Sequence, residues 1–138
     1  MKYFSTDFEN EFIAEYNYDI TQIPVENNFF DLIICYHILE HIEDDKKAME
    51  ELQRVLKSGG TCIIQTPFKE GDIYEDAFKK TKKERLEAFG QEDHVRVYSV
   101  NGLKERLCAN GFKNVEVKTF DADARYGLMD ETILIAKK

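Results

Sequence analysis

Three histidines and a few well-placed carboxylates carry most of the reactive chemistry in this 138-residue sequence. Imidazole titrates near neutral pH, so His37, His41 and His94 are the natural proton acceptors. Two of them frame the segment His37-Ile38-Leu39-Glu40-His41. Histidines four apart on a helix could share one divalent cation, with Glu50 or Glu51 as a third ligand. That geometry needs both histidines to be helical. Here an apolar, strand-like run leads into the segment, and the helix cap at Asp44-Asp45 comes only after it. The expectation is therefore no metal. His37 and His94 remain as candidate general bases, and His41 reads as a packing or helix-entry residue.

These groups must be positioned by the elements around them. Phe29 to Tyr36 is a nearly continuous apolar run, suited to a strand buried on both faces of a parallel sheet. Ala48, Met49, Leu52, Val55 and Leu56 follow Asp44-Asp45 at helical spacing. Lys57 sits at the end of that helix and Gly59-Gly60 stops it. Thr61 to Gln65 is a second β-branched run, broken by Pro67. The whole is strand, crossover helix, strand, expected to be right-handed.

Before it, Lys2 to Phe8 reads as a short strand ending at Asp7, and Glu15 to Tyr18 as another ending at Asp19. After it, Ile73 to Phe78 is acidic with some helical character. Thr81 and Glu84 form a capping box for a helix running to Phe89 and stopped by Gly90, with Leu86 and Phe89 inward. Gln91 to Ser99 is a loop or short strand. Ser99 caps a last helix with Leu103, Leu107 and Cys108 inward, closed by Asn110-Gly111 and Phe112. Val115 to Phe120 and Thr132 to Ala136 make an antiparallel pair at a sheet edge.

The order predicts one α/β domain over residues 1–138, an open and mostly parallel sheet with an antiparallel edge pair. Ligands of such sheets bind beyond the carboxyl ends of the strands. That rule selects Asp7, Asp19, the Tyr36-His37 corner and Thr66-Pro67.

The central stretch resembles class I S-adenosylmethionine-dependent methyltransferases with a Rossmann-like fold. The resemblance rests on His37-Ile38-Leu39-Glu40-His41 and on Glu51-Leu52-Gln53-Arg54-Val55-Leu56-Lys57-Ser58-Gly59-Gly60, where the family usually has proline for Ser58. It implies that Asp7 accepts hydrogen bonds from both ribose hydroxyls of S-adenosylmethionine, as a carboxylate can. It implies further that Asp19 meets the adenine amino group with Ile20 against the ring, and that Tyr36 and His37, beside Cys35, face the methionine part. The family's first strand and its glycine-rich G-x-G turn have no counterpart among Gly59, Gly60, Gly71, Gly90, Gly102, Gly111 and Gly127. That departure implies weak cofactor binding, and a gap in the sheet unless the strand from Lys2 pairs directly with the strand at Phe30, or a second copy or a partner chain covers it. The expected activity is methyl transfer to a small molecule; the alternative is a non-catalytic binding or assembly module of the same descent. The H-x-x-E-H spacing also resembles inverted zinc peptidases, against which the strand-to-turn context argues.

Composition bounds the rest. A net charge of −8 with interleaved signs argues against a nucleic-acid backbone as partner. No stretch is long and apolar enough for a membrane span, and no signal-peptide core follows Met1. Cys35, Cys62 and Cys108, odd in number and set in apolar stretches, read as buried thiols in a reducing, cytoplasmic setting.

Overall fold

The computed structural model describes residues 2–8 and 13–138. Its main sheet has four strands in the order β1 (Phe30–Tyr36), β2 (Leu56–Gln65), β6 (Glu131–Lys137), β5 (Asn114–Phe120). β1 and β2 run parallel, and the other two pairings are antiparallel. β3 (Tyr74–Glu75) and β4 (Arg96–Val97) form a separate two-residue ribbon. The helices are α1 (Asp45–Val55), α2 (Lys82–Phe89) and α3 (Val100–Ala109), with a single 3₁₀ turn at Leu39–His41.

Local chemistry explains the helix ends. Asp44 accepts from the Lys47 amide at 3.1 Å and starts α1. Its stripe of Ala48, Met49, Leu52 and Val55 is buried. Thr81 and Glu84 exchange both bonds of a capping box, and Gly90 closes α2 in the left-handed region at φ +87°. Ser99 accepts from the Gly102 amide, and Phe112 folds back onto the core after Gly111. The core joins α1 and α3 to one sheet face through Cys35, Cys62, Ile64, Leu134 and Ala136.

Several expectations are corrected. α1 ends at Val55, and Leu56 is already extended and paired with Phe30. Gly59-Gly60 is therefore no helix stop: it lies where the β1–β2 register shifts, with Gly59 at φ +78°. Lys57 pairs with Asp31 across that shift. β1 is not buried on both faces. Ile33 and Cys35 turn inward, while Leu32, Ile34 and Tyr36 are exposed, Ile34 to 62%. The apolar run was read as two-sided because composition reports affinity for burial, and here only one face meets helices. Ile73 to Phe78 contains β3 rather than a helix. Leu86 and Cys108 face solvent, because α2 and α3 each bury too narrow a stripe to include them.

The two N-terminal strands reduce to one parallel bridge, Thr6 to Tyr16, with the Asp7 amide donating to the Tyr16 carbonyl at 3.1 Å. Among the described residues this segment does not pair with β1. It meets the sheet through aromatic rings instead, Phe4 standing edge-on to Phe29 and Phe30. No helix of the described residues is long and apolar enough to cross a membrane.

Candidate functional site

The corner after β1 is the first site element. The His37 amide donates to the Gln65 carbonyl at 3.0 Å, which ties the carboxyl ends of β1 and β2 together. His37 then turns the chain at φ +50°, a region that side chains other than glycine seldom occupy. Its imidazole is 58% exposed, with Nδ1 3.2 Å from Oε1 of Glu40. Tyr36 beside it has its hydroxyl pKa raised by partial burial and by the charge of Glu131. Gln65 Oε1 and Thr66 Oγ1 are buried at the end of β2 without a hydrogen-bond partner among the described residues.

The 3₁₀ turn places Glu40 and His41 next. Glu40 is 1% exposed, and its Oε2 also lacks a partner among the described residues. His41 Nδ1 lies 3.2 Å from Asp93, and the His41 and His94 rings meet edge to face at 4.7 Å. The Val95 amide donates to the Glu40 carbonyl at 2.9 Å, so the loop carrying His94 is pinned to the turn. Burial, then the nearby charge of His41, lowers the pKa of His94 and favours neutral imidazole. The structure thus gathers His37, Glu40, His41 and His94 into one place. Sequence spacing exposed the first three; the approach of His94 had no local signal.

Arg96 fixes the turn from below. Its guanidinium donates to the carbonyls of Leu39, Ile42 and Glu43, satisfying a helical C-terminus with a cation. Its Nε reaches Glu75 at 3.0 Å and lies 3.6 Å from Asp45. Asp45 in turn accepts from Arg106 at 2.7 Å and from the Tyr98 hydroxyl. A cavity of about 360 Å³ opens beside this network, lined by side chains of both signs, and none of the strand-end residues borders it.

Hydrogen bonds from Arg106, then from Arg96, hold the Glu75 carboxyl down to about 2, from an ordinary 4.5. Glu75 therefore stabilises the fold above its unfolded pKa, and this is lost as pH falls from 4.5 toward 2. Its side chain is 44% exposed, so screening cuts the expected contribution to about 1 kcal/mol. Urea titrations of Glu75→Gln should show an acid limb flatter by that amount between about pH 5 and pH 2. Parallel limbs for variant and parent would refute it.

The N-terminal carboxylates belong to the segment bridged at Thr6 and Tyr16. The parallel bridge points the ends at Asp7 and at Asn17 to Asp19 the same way. Asp19 Oδ1 accepts from both the amide and the hydroxyl of Thr21 at 2.8 and 2.7 Å, and Ile20 packs partly on the core. The loop that follows is clamped by Glu51 and Arg54 of α1, a role that the sequence did not suggest. Arg54 donates to the carbonyls of Ile23 and Val25, to Asn27, and to both oxygens of Glu51, all within 2.9 Å. Glu51 accepts from the Ile23 amide at 2.8 Å. Its pKa is lowered, chiefly by the Arg54 hydrogen bond. A Glu and an Arg three apart on α1, beside its apolar stripe, was the available signal.

Residues 4–117 match the family model described as a methyltransferase domain. The demethylmenaquinone methyltransferase of Staphylococcus carnosus is 32% identical over 122 residues, covering 74% of this chain and 48% of that protein. An uncharacterized protein of Methanocaldococcus jannaschii is 30% identical over 86 residues, covering 62% of this chain and 36% of its own length. The chain thus spans about a third to a half of these curated relatives. Among solved structures, a SAM-dependent methyltransferase from Archaeoglobus fulgidus superposes with a TM-score of 0.65 at 15% identity, over 96% of this chain and 74% of that one. One from Mesorhizobium loti gives 0.61 at 17%, over 89% and 68%.

Proposed function

Because the chain belongs to the methyltransferase-domain family, we propose that it binds S-adenosylmethionine beyond the carboxyl ends of its strands and serves methyl transfer to a small-molecule acceptor. The observation that carries this reading is the Tyr36-His37 corner, where a strained backbone meets buried polar atoms of Gln65 and Thr66 that no group among the described residues satisfies. A polar ligand at that point would complete them. Asp7 is assigned to the ribose hydroxyls, Asp19 to the adenine amino group with Ile20 against the ring, and Tyr36 and His37 to the methionine end. The cofactor supplies an electrophilic sulfonium methyl. The chain's part is to align the acceptor, exclude water and take the acceptor's proton on His37 or His94. Unpaired Cys35, Cys62 and Cys108 suit a reducing, cytoplasmic setting.

The glycines of the given sequence contain no G-x-G, so these 138 residues by themselves should bind the cofactor weakly. Two or three absent backbone hydrogen bonds to charged groups cost roughly a hundredfold or more. A second reading, an assembly module without catalysis, is favoured by the exposed face of β1 and its outer edge, which no described strand covers. A second copy or a partner chain would pair there.

Calorimetric titration with S-adenosylhomocysteine separates the two. Saturable binding that weakens at least about tenfold in Asp7→Ala is the expected result, since a charged hydrogen bond is worth about 1.5–3 kcal/mol. A folded chain that takes up no ligand at millimolar concentration would sink the cofactor reading and leave the assembly module.

A further inference from the structure

We infer that Glu40, His41 and His94 form a binding site for a divalent first-row transition cation of the zinc type. Each offers one ligand atom, and the three atoms lie within 4.8 Å of one another. A tetrahedral ion with bonds near 2.1 Å sets its donors about 3.4 Å apart. The cluster must therefore tighten by little more than an ångström, within reach of a rotamer adjustment of the partly exposed His41.

Packing alone does not account for these residues. The edge-to-face contact of His41 and His94 is ordinary ring packing. It leaves unexplained why a carboxylate is buried against the rings to 1% exposure with Oε2 unpartnered. A buried, half-satisfied carboxylate is costly, and a cation beside it removes the cost.

The surrounding groups are arranged as metal sites require. Asp93 lies 3.2 Å from His41 Nδ1, so a carboxylate can hold that N–H and leave Nε2 for the ion. His37 Nδ1 holds the other Glu40 oxygen at 3.2 Å. The two segments are locked in register by the Val95 amide on the Glu40 carbonyl and by Arg96 on the carbonyls of Leu39 and Glu43. Two imidazoles and one carboxylate favour zinc, cobalt, nickel or iron(II) over magnesium or calcium, which prefer all-oxygen shells. Glu40 and Asp93 together balance the two positive charges. Three protein donors leave one tetrahedral position open for water or an acceptor oxygen.

His37 and His41 do not make the helical pair that a metal shared between them would need. His37 stands in the strand corner and His41 in the 3₁₀ turn, so they share no helix face. The structure replaces His37 in that set with His94. With the cation bound, His94 is a ligand, which leaves His37 as the proton acceptor of the proposed reaction.

The test uses the full chain, stripped with a chelator and titrated with Co²⁺, whose visible absorption reports a low-coordinate nitrogen and oxygen shell. One equivalent should bind with an intense band and be displaced stoichiometrically by Zn²⁺. His41→Ala should lower affinity about a hundredfold or more, and Asp93→Asn about 10- to 100-fold. The His41 side chain is 31% exposed, so its removal leaves the core intact, as circular dichroism would verify. His94→Gln should lose the band as well. Absence of the band from the folded parent would overturn the inference. So would binding unchanged by His41→Ala and Asp93→Asn, the signature of scattered acidic surface groups. The titration needs neither cofactor nor acceptor, so its failure would leave the methyl-transfer reading standing.

Discussion

Asp45→Asn should lower the unfolding free energy by about 3–5 kcal/mol, a large share of what a domain of this size possesses. The side chain is 4% exposed and stands between two guanidiniums, Arg106 at 2.7 Å and Arg96 at 3.6 Å, with the Tyr98 hydroxyl donating to the same oxygen. Asparagine keeps the shape and removes the charge. The two arginines are then buried beside a neutral amide, with Glu75 as their remaining carboxylate partner. The buried Tyr98 hydroxyl cannot substitute, since burial drives its pKa far above its ordinary value. Urea unfolding checks this: the midpoint should fall with little change in slope. A loss below about 1 kcal/mol would mean that solvent reaches the network and screens it. Tyr98 and Arg96 also reach the carbonyls of the 3₁₀ turn, so the same substitution loosens the support beneath Glu40 and His41.

Arg54→Met should cost about 2–4 kcal/mol and free the loop that follows Ile20. Methionine preserves much of the aliphatic stem, so the effect isolates the guanidinium. Five hydrogen bonds end on that group, and three go to residues 23–27. The substitution also strands Glu51, whose buried carboxylate keeps only the Ile23 amide. Limited proteolysis should cut the variant between Ile20 and Asn28 under conditions that leave the parent whole. If Asp19 and Ile20 hold adenine, S-adenosylhomocysteine binding should weaken in step, while cobalt binding at Glu40, His41 and His94 stays as it was. An unchanged loop would show that the aromatic packing of Phe29, Phe30 and Phe4 holds this region alone.

What could be read beforehand was what depends on neighbours in sequence. Asp44, the Thr81–Glu84 box, Gly90 and Ser99 bounded helices as expected, because a cap is satisfied within four residues. The α1 stripe and the parallel β1–β2 pairing followed from periodicity. What escaped was set by partners far along the chain. Nothing local tells an apolar strand that only one of its faces will be covered, so the sequence predicts burial for Leu32, Ile34 and Tyr36, which are exposed. Asp45 looked like first-turn charge and is a buried counter-ion. Glu51 stands in the sequence as a possible metal ligand and Arg54 as one position of a motif, and together they are a clamp. His94 was legible as a titratable residue, but its approach to Glu40 depends on a loop docking onto a turn, which no spacing encodes.

The strand order carries a consequence for how the chain is assembled on the ribosome. β6 comes last in the sheet's sequence order, yet it lies inside the sheet, between β2 and β5. β1, α1 and β2 can pair as they emerge, since a short crossover links them. β5 then has no neighbour, and the open side of β2 stays bare, until β6 has been translated and slides between the two. The sheet therefore closes by insertion of a central strand after synthesis has passed it, and during that interval two strand edges are exposed to other nascent chains.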